Sequence, residues 1–338
     1  MSITATAPHF GGHGKISFAD HVYPEPGQGQ LLLAIRANAI CGSDREQYHR
    51  GSAIVPGHEA AGTVVSAGPG TATPVGTSGA VFLMDYCGAC RSCRLGLTNQ
   101  CLAKRADMGF TRDGGYGPYE VVHETNFFPV PDDVTPVQAT LLLDVMGTGG
   151  HALRRARLVH PDIESVYVVG AGPIGLGLLV MAKLVLGADL PVYVSGRSAW
   201  RRDYAQGLGG IPVDAADPAA VSAVAAVDLA VDSSGRMAAR RAAVDVLDRR
   251  GVLVCVGHGE GLMLDVSADL IAPERAVLGS EYFRYDEMPA NLDLLRAHGD
   301  LLSRVITHTF PVEHIGEAFE TFLAGRSGKV VVTQEYPA

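Results

Sequence analysis

The segment Ser165-Val166-Tyr167-Val168-Val169-Gly170-Ala171-Gly172-Pro173-Ile174-Gly175 runs from a β-branched and aromatic string into three spaced glycines, then into an apolar stretch ending near Leu186. That order reads as strand, tight turn and helix. Gly170 permits the turn, Gly172 lets backbone approach a pyrophosphate, and Gly175 lets the helix pack on the strand. The bland alternative is a tight turn with no ligand. Apolar runs at 191–194, 228–231 and 252–256 alternate with Ala-rich helical stretches, which argues for βαβ units in a doubly wound parallel sheet. A further strand is expected at 277–283.

Outward from this core the texture changes. Residues 1–146 carry short strand-like runs at 31–35, 62–65, 80–83 and 119–122 between Gly/Pro turns. After a helical pattern at 288–298, the run 328–333 reads as a strand that returns to this first half. A chain of 338 residues exceeds what one core usually supports. The expectation is α/β with two domains: 147–287 binds a dinucleotide, while 1–146 with 288–338 forms a β-rich domain. A net charge of -9 offers no basic footprint for nucleic acid or an anionic membrane, so the partners expected are small molecules. No leader-like or membrane-spanning stretch is evident, which points to a soluble cytoplasmic protein.

The second strand of the unit ends in Ser195-Gly196-Arg197-Ser198. A carboxylate at this place would hydrogen-bond a ribose 2′-hydroxyl and repel a 2′-phosphate. None is present, Gly196 leaves room, and Arg197 with the two serine hydroxyls offers charge and donors. These residues predict NADP(H). The alternative is a solvated Arg197 and use of NAD(H) as well.

Cys87, Cys90, Cys93 and Cys101 place four thiols within one short loop, a spacing suited to tetrahedral zinc rather than to two disulfides or to unrelated buried cysteines. Cys255 reads as an inert residue of a buried strand. Cys41 belongs elsewhere: Cys41-Gly42-Ser43-Asp44, Gly57-His58-Glu59 and Leu143-Asp144-Val145-Met146-Gly147-Thr148 together offer one thiolate, one imidazole and one carboxylate. Three such ligands with an open fourth position describe a catalytic zinc site.

With these motifs the chain resembles, end to end, the zinc-dependent medium-chain alcohol dehydrogenases. Gly109-Phe110-Thr111-Arg112-Asp113-Gly114-Gly115 and the closing Gly328-Lys329-Val330-Val331 are similar to the polyol, threonine and cyclitol branches. The resemblance implies a GroES-like catalytic domain interrupted by a Rossmann domain, with the site in the cleft between them. It places Cys41, His58 and Asp144 on the catalytic zinc and Glu59 beside it. It also sets Thr148, Ile174 and Val256 against the cofactor, along with Pro173 in the glycine turn. Two zinc ions per chain follow, as does a homodimer or homotetramer with 277–283 as a pairing edge. Asp144 departs from the Cys or Glu of many relatives, and Glu46 from a relay histidine.

Ser43 is expected to accept the alcohol proton, or else merely to cap its turn; Glu46 either relays that proton or is an exposed loop glutamate. The activity implied is hydride transfer between NADP(H) and a secondary alcohol or ketone of the polyol, sugar or aminocyclitol kind. Gly42, Tyr48 and Tyr116 resemble those branches, and Glu46, Asp85 and Arg112 are candidate substrate contacts or solvated charges. Aldehyde reduction is the enzymatic alternative, and NADPH binding without turnover the non-enzymatic one.

Overall fold

The computed structural model describes residues 2–224 and 226–335. An N-terminal hairpin pairs Ile3–Gly12 (β1) with Lys15–Tyr23 (β2) in antiparallel register. Gln30–Ala39 (β3), Ala60–Ala67 (β4) and Ser78–Val81 (β5) then build the first large sheet. The short Met84–Asp85 (β6) and Ala106–Asp107 (β7) pair to close the base of the cysteine loop. Tyr119–His123 (β8) pairs with β3, and Phe127–Pro129 (β9) ends the sheet beside β5. Ile306–Pro311 and Lys329–Thr333, the last two strands of the chain, complete this sheet at its other side, where Lys329–Thr333 pairs with β3.

Between β9 and those two strands lies the second sheet. Its strands are Val166–Val169 (β10), Val192–Gly196 (β11), Ile211–Asp214 (β12), Val227–Asp232 (β13), Leu247–Cys255 (β14) and Ala276–Gly279 (β15). Every pairing is parallel and the order is β12-β11-β10-β13-β14-β15. The order reverses between β10 and β13, the switch point where doubly wound folds bind ligands at the carboxyl ends of their strands. The two strands that follow are β16 (Ile306–Pro311) and β17 (Lys329–Thr333). The chain therefore joins a GroES-like domain to a Rossmann domain.

One apolar core crosses the junction. Phe82, Leu141, Val145 and Met146 from the first half pack in a single cluster with Val168, Leu176, Val254 and Phe283 from the second. Truncating one such buried aromatic to alanine costs about 3–5 kcal/mol. A single packed core therefore joins the two halves beside the turn that carries Asp144.

Two expectations change. The run 277–283 is strand only to Gly279, because Tyr282 takes φ 44 and cannot continue a ladder. Cys255 is half-buried at the last position of β14 rather than inside a covered strand. No helix among the described residues is long and apolar enough to cross a membrane.

Candidate active site

Cys41 lies just past β3, His58 and Glu59 just before β4, and Asp144 at the start of a wide turn over Asp144–Thr148. In that turn Gly147 and Thr148 both donate their N–H to Leu143 O, at 2.6 and 3.3 Å. The i→i+5 spacing widens the turn, a form common where a side chain must be aimed at a site. A ligand atom from each of Cys41, His58, Glu59 and Asp144 lies within 4.8 Å of every other. His58 Nε2 and Asp144 Oδ2 are 3.7 Å apart, beyond hydrogen-bond range. A tetrahedral zinc with arms of about 2.0–2.1 Å separates two such ligand atoms by about 3.4 Å, so the donors present suit that metal.

The support behind these ligands is equally specific. Asp44, fully buried, accepts from His58 Nδ1 at 3.0 Å through one oxygen. Its other oxygen accepts the Cys41 N–H at 2.9 Å and the Tyr116 hydroxyl at 2.8 Å. A carboxylate on Nδ1 fixes the tautomer and frees Nε2 for a metal. Behind Glu59 stands Lys329, also fully buried and ion-paired to it. Burial works against the lysine's charge, but Glu59, Asp144 and Cys41 outweigh it and hold its pKa above the usual value. Burial opposes the His58 imidazolium too, yet Asp44 and then Asp144 raise its pKa well above the ordinary one. Burial works against the Asp144 carboxylate, but the neighbouring His58 and the charge on Lys329 outweigh it and depress the carboxyl. Thiolate, imidazole and carboxylate are donors that a divalent metal takes, and Lys329 offsets part of their charge.

Ser43 does not cap the helix Asp44–Arg50; its hydroxyl stands 3.4 Å from His58 Nε2 and is exposed. Phe110 lays its ring 4.9 Å from that of His58 and is partly exposed, forming an apolar wall.

At the cysteine loop, Cys87 Sγ is 4.0 Å from Cys93 Sγ, and Cys90 Sγ 3.9 Å from Cys101 Sγ. A zinc tetrahedron with 2.3 Å arms has edges of about 3.8 Å. Disulfides are excluded, since all six cysteines are free. Backbone N–H groups of Cys87, Cys90 and Leu102 donate to the sulfurs of Cys101, Cys87 and Cys90 at 3.3–3.4 Å. Donation from Cys93 and Leu102 lowers the Cys90 thiol to about 6, a bias toward the thiolate that binds metal.

In the nucleotide turn Gly170 has φ 98, which a side chain tolerates poorly, and a Cβ on Gly175 would collide with Gly170 O. Gly172 is open on its outer face and caps the helix Pro173–Val185, with Pro173 in the first turn and Ile174 half-buried. Thr148 is buried, and Val256 is half-buried past β14. Arg197 is exposed. The two serines are committed elsewhere: Ser198 caps the helix Ala199–Gly207 and donates to Gly325 O at 2.9 Å, while Ser195 is buried against Tyr167. Asp214, paired with Gly196 across β11 and β12, is held by Arg202 at 2.9 Å.

Other candidates are not among the clustered ligands. Glu46 is 69% exposed and pairs with Arg50. Tyr116 and Tyr48 are buried in a core cluster, Tyr48 stacked 4.8 Å from Phe319. Asp85 is buried under Arg105, with Arg112 at 3.8 Å.

Sequence reasoning missed the roles of Asp44, Lys329 and Arg201. Arg201 donates Nε to Ser327 O at 2.9 Å, leaves Nη2 buried without a partner, and brings Nη1 to 3.9 Å from where a Gly172 Cβ would stand. An arginine five residues beyond a glycine-ended strand was the available signal.

Residues 27–132 match the family model for the alcohol dehydrogenase GroES-like domain, and residues 173–297 that for zinc-binding dehydrogenase. Along its length the chain is 31% identical to an L-threonine 3-dehydrogenase of Saccharopolyspora erythraea, covering 91% of this chain and 93% of that one. It is 30% identical to the L-galactonate-5-dehydrogenase of Escherichia coli K12, over 88% and 89%. A solved zinc-binding dehydrogenase from Sinorhizobium meliloti 1021, bound to NADP, superposes with a TM-score of 0.85 at 26% identity, covering 98% and 99%.

Proposed function

Because the chain belongs to the zinc-type alcohol dehydrogenase family, we propose that it moves a hydride between NADP(H) and a secondary alcohol or its ketone, of the polyol, sugar or cyclitol class. The observation that carries this reading is the convergence of Cys41, His58, Glu59 and Asp144 within 4.8 Å, with the Ser43 hydroxyl 3.4 Å from His58 Nε2. Cys41, His58 and Asp144 would hold one zinc and the four loop cysteines a second. When bound, zinc supplies Lewis acidity toward a substrate oxygen and the nicotinamide carries the hydride.

The chain's own groups do the rest. Ser43 takes the alcohol proton through a hydrogen bond, and its exposure gives that proton a way out without Glu46. Asp44 keeps His58 in one tautomer. Lys329 holds Glu59 in place and offsets the negative charge of the ligand set. Phe110 offers an apolar wall to the carbon skeleton, and the Gly170–Gly175 turn receives the pyrophosphate at a helix N-terminus.

NADP(H) preference rests on the missing carboxylate after β11, the room at Gly196 and the free charge of Arg197, with Arg201 facing the phosphate loop. The relatives named for threonine and galactonate oxidation support a substrate with more than one polar group. The unpaired side of β15, last in the sheet order, is the surface proposed for a homodimer.

Titration of zinc-loaded protein with NADPH and NADH, followed by turnover on a panel of polyols, cyclitols and simple alcohols, tests the reading. Tighter binding of NADPH and oxidation of polyhydroxylated secondary alcohols are expected. Failure to bind either nicotinamide would overturn it.

A further inference from the structure

Tyr282, in the loop after β15, has no part in the scheme above. Its φ of 44 lies in the left-handed region, which bulky residues adopt rarely and which tends to persist where function holds it. Its neighbour Phe283 packs against the turn that carries Asp144 and Thr148 so closely that a Cβ on Gly147 would collide with the ring. The Tyr282 ring is itself held by Phe82 at 5.1 Å and by Phe283 at 4.2 Å, and the residue is only 7% exposed.

Its hydroxyl oxygen accepts the Leu83 N–H at 3.3 Å. That bond uses a lone pair and leaves the O–H proton unspent; among the described residues no acceptor takes it. Burial first, then the charge of Asp144, keep the phenol protonated, with Glu59 and Cys41 acting in the same direction. These are the side chains that would surround the reacting oxygen. A buried donor with its proton free, in a segment whose next residue packs on the turn that carries Asp144, has the chemistry to hold a second acceptor oxygen of a bound molecule.

On the dehydrogenase reading above, we propose that Tyr282 donates a hydrogen bond to the oxygen on the carbon next to the reacting one, making the enzyme selective for vicinal diols and α-hydroxyketones over simple alcohols and ketones. A site built to bond a hydroxyl discriminates against the analogue that lacks it, because its donor is then left buried and unpaired.

The test compares wild type with Tyr282→Phe, which keeps the ring packing, both zinc-loaded and with NADP(H). The probes are 2,3-butanediol against 2-butanol, and acetoin against 2-butanone. For the variant, kcat/KM on the diol and acetoin should fall about 10- to 100-fold, the loss expected for one buried hydrogen bond. On 2-butanol and 2-butanone it should stay within about twofold, with NADPH affinity unchanged. Equal losses on all four probes would show that Tyr282 only anchors Leu83, and a selective loss of NADPH affinity would move its bond to the cofactor; either overturns the proposal. A wild type that favours 2-butanol over the diol overturns the proposal but leaves the dehydrogenase standing. A wild type that binds NADPH yet turns over none of the four overturns both.

Discussion

The two clusters of side chains that could hold a metal are built by opposite means. The cysteine loop draws its four ligands from positions 87–101, leaves them partly exposed, and steadies the sulfurs with backbone N–H groups of the same loop. The Cys41, His58 and Asp144 centre draws its ligands from three distant stretches, and buries all but Cys41. Side chains as remote as Tyr116 and Lys329 hold it in place. A loop that folds around its own ligands needs the metal to exist. A centre assembled from distant stretches of one packed fold exists first and then accepts the metal.

That contrast predicts its largest effect at the loop. Cys93→Ser should cost the folded protein, because a structural zinc contributes about 10–16 kcal/mol of apparent binding free energy and whole domains are stable by only about 5–15 kcal/mol. Soluble yield and circular dichroism read the outcome; a well-folded variant would erase the distinction between the two centres.

Ser43→Ala should act the other way, lowering kcat by about 10²- to 10⁴-fold while leaving the melting temperature and metal content unchanged. Turnover near wild type would remove Ser43 from the chemistry. Between these lies Asp44→Asn, which no longer fixes the His58 ring. Competition with a chelator should show zinc affinity at the active centre down about 10- to 100-fold, with the loop metal untouched.

Cofactor choice is a smaller adjustment. Gly196→Asp with Arg197→Ile should shift the NADPH to NADH affinity ratio toward NADH by roughly tenfold or more, through loss of one charge-assisted contact and gain of a carboxylate. The new Cβ meets that of Ala171 at 3.0 Å, so a slight displacement of the turn accompanies it.

The smallest effect lies away from both centres. Glu120 is fully buried with neither carboxylate oxygen bonded, and burial, then Asp113, raises its pKa well above 4.5. Its folded form thus favours the neutral acid. The associated stability is complete below the ordinary value and fades as pH rises through the raised one. Melting temperature should therefore decline in wild type as pH rises above the ordinary carboxylate range. Glu120→Gln should flatten that decline and melt roughly 2 °C higher at the upper end, and an unchanged slope would acquit Glu120.

The same contrast governs how much the sequence revealed. The nucleotide turn and the cysteine loop are short-range patterns, so Gly170, Gly172, Gly175 and the four cysteines carry their geometry in their spacing. The hairpin of β1 and β2 was not anticipated, since residues 3–23 mix histidines and glycines with exposed apolar residues such as Phe18 and Val22. Tyr116 and Tyr48 carry part of the resemblance to the polyol branches, and the fold turns both into the core beside Phe319. Ser198 offers a hydroxyl that suits a phosphate equally well as a helix cap, and local capping took it. Lys329 and Asp44 gain their roles only through partners 270 and 14 residues away. A single sequence does not display those partnerships.

The most direct measurement is the zinc count by native mass spectrometry of wild type beside Asp144→Ala. Two independent centres predict two zinc ions per chain in the wild type and one in a variant that remains folded and has lost turnover. Equal counts in the two proteins, or loss of both ions together, would contradict the division into a loop that folds around its metal and a preassembled centre that works with one.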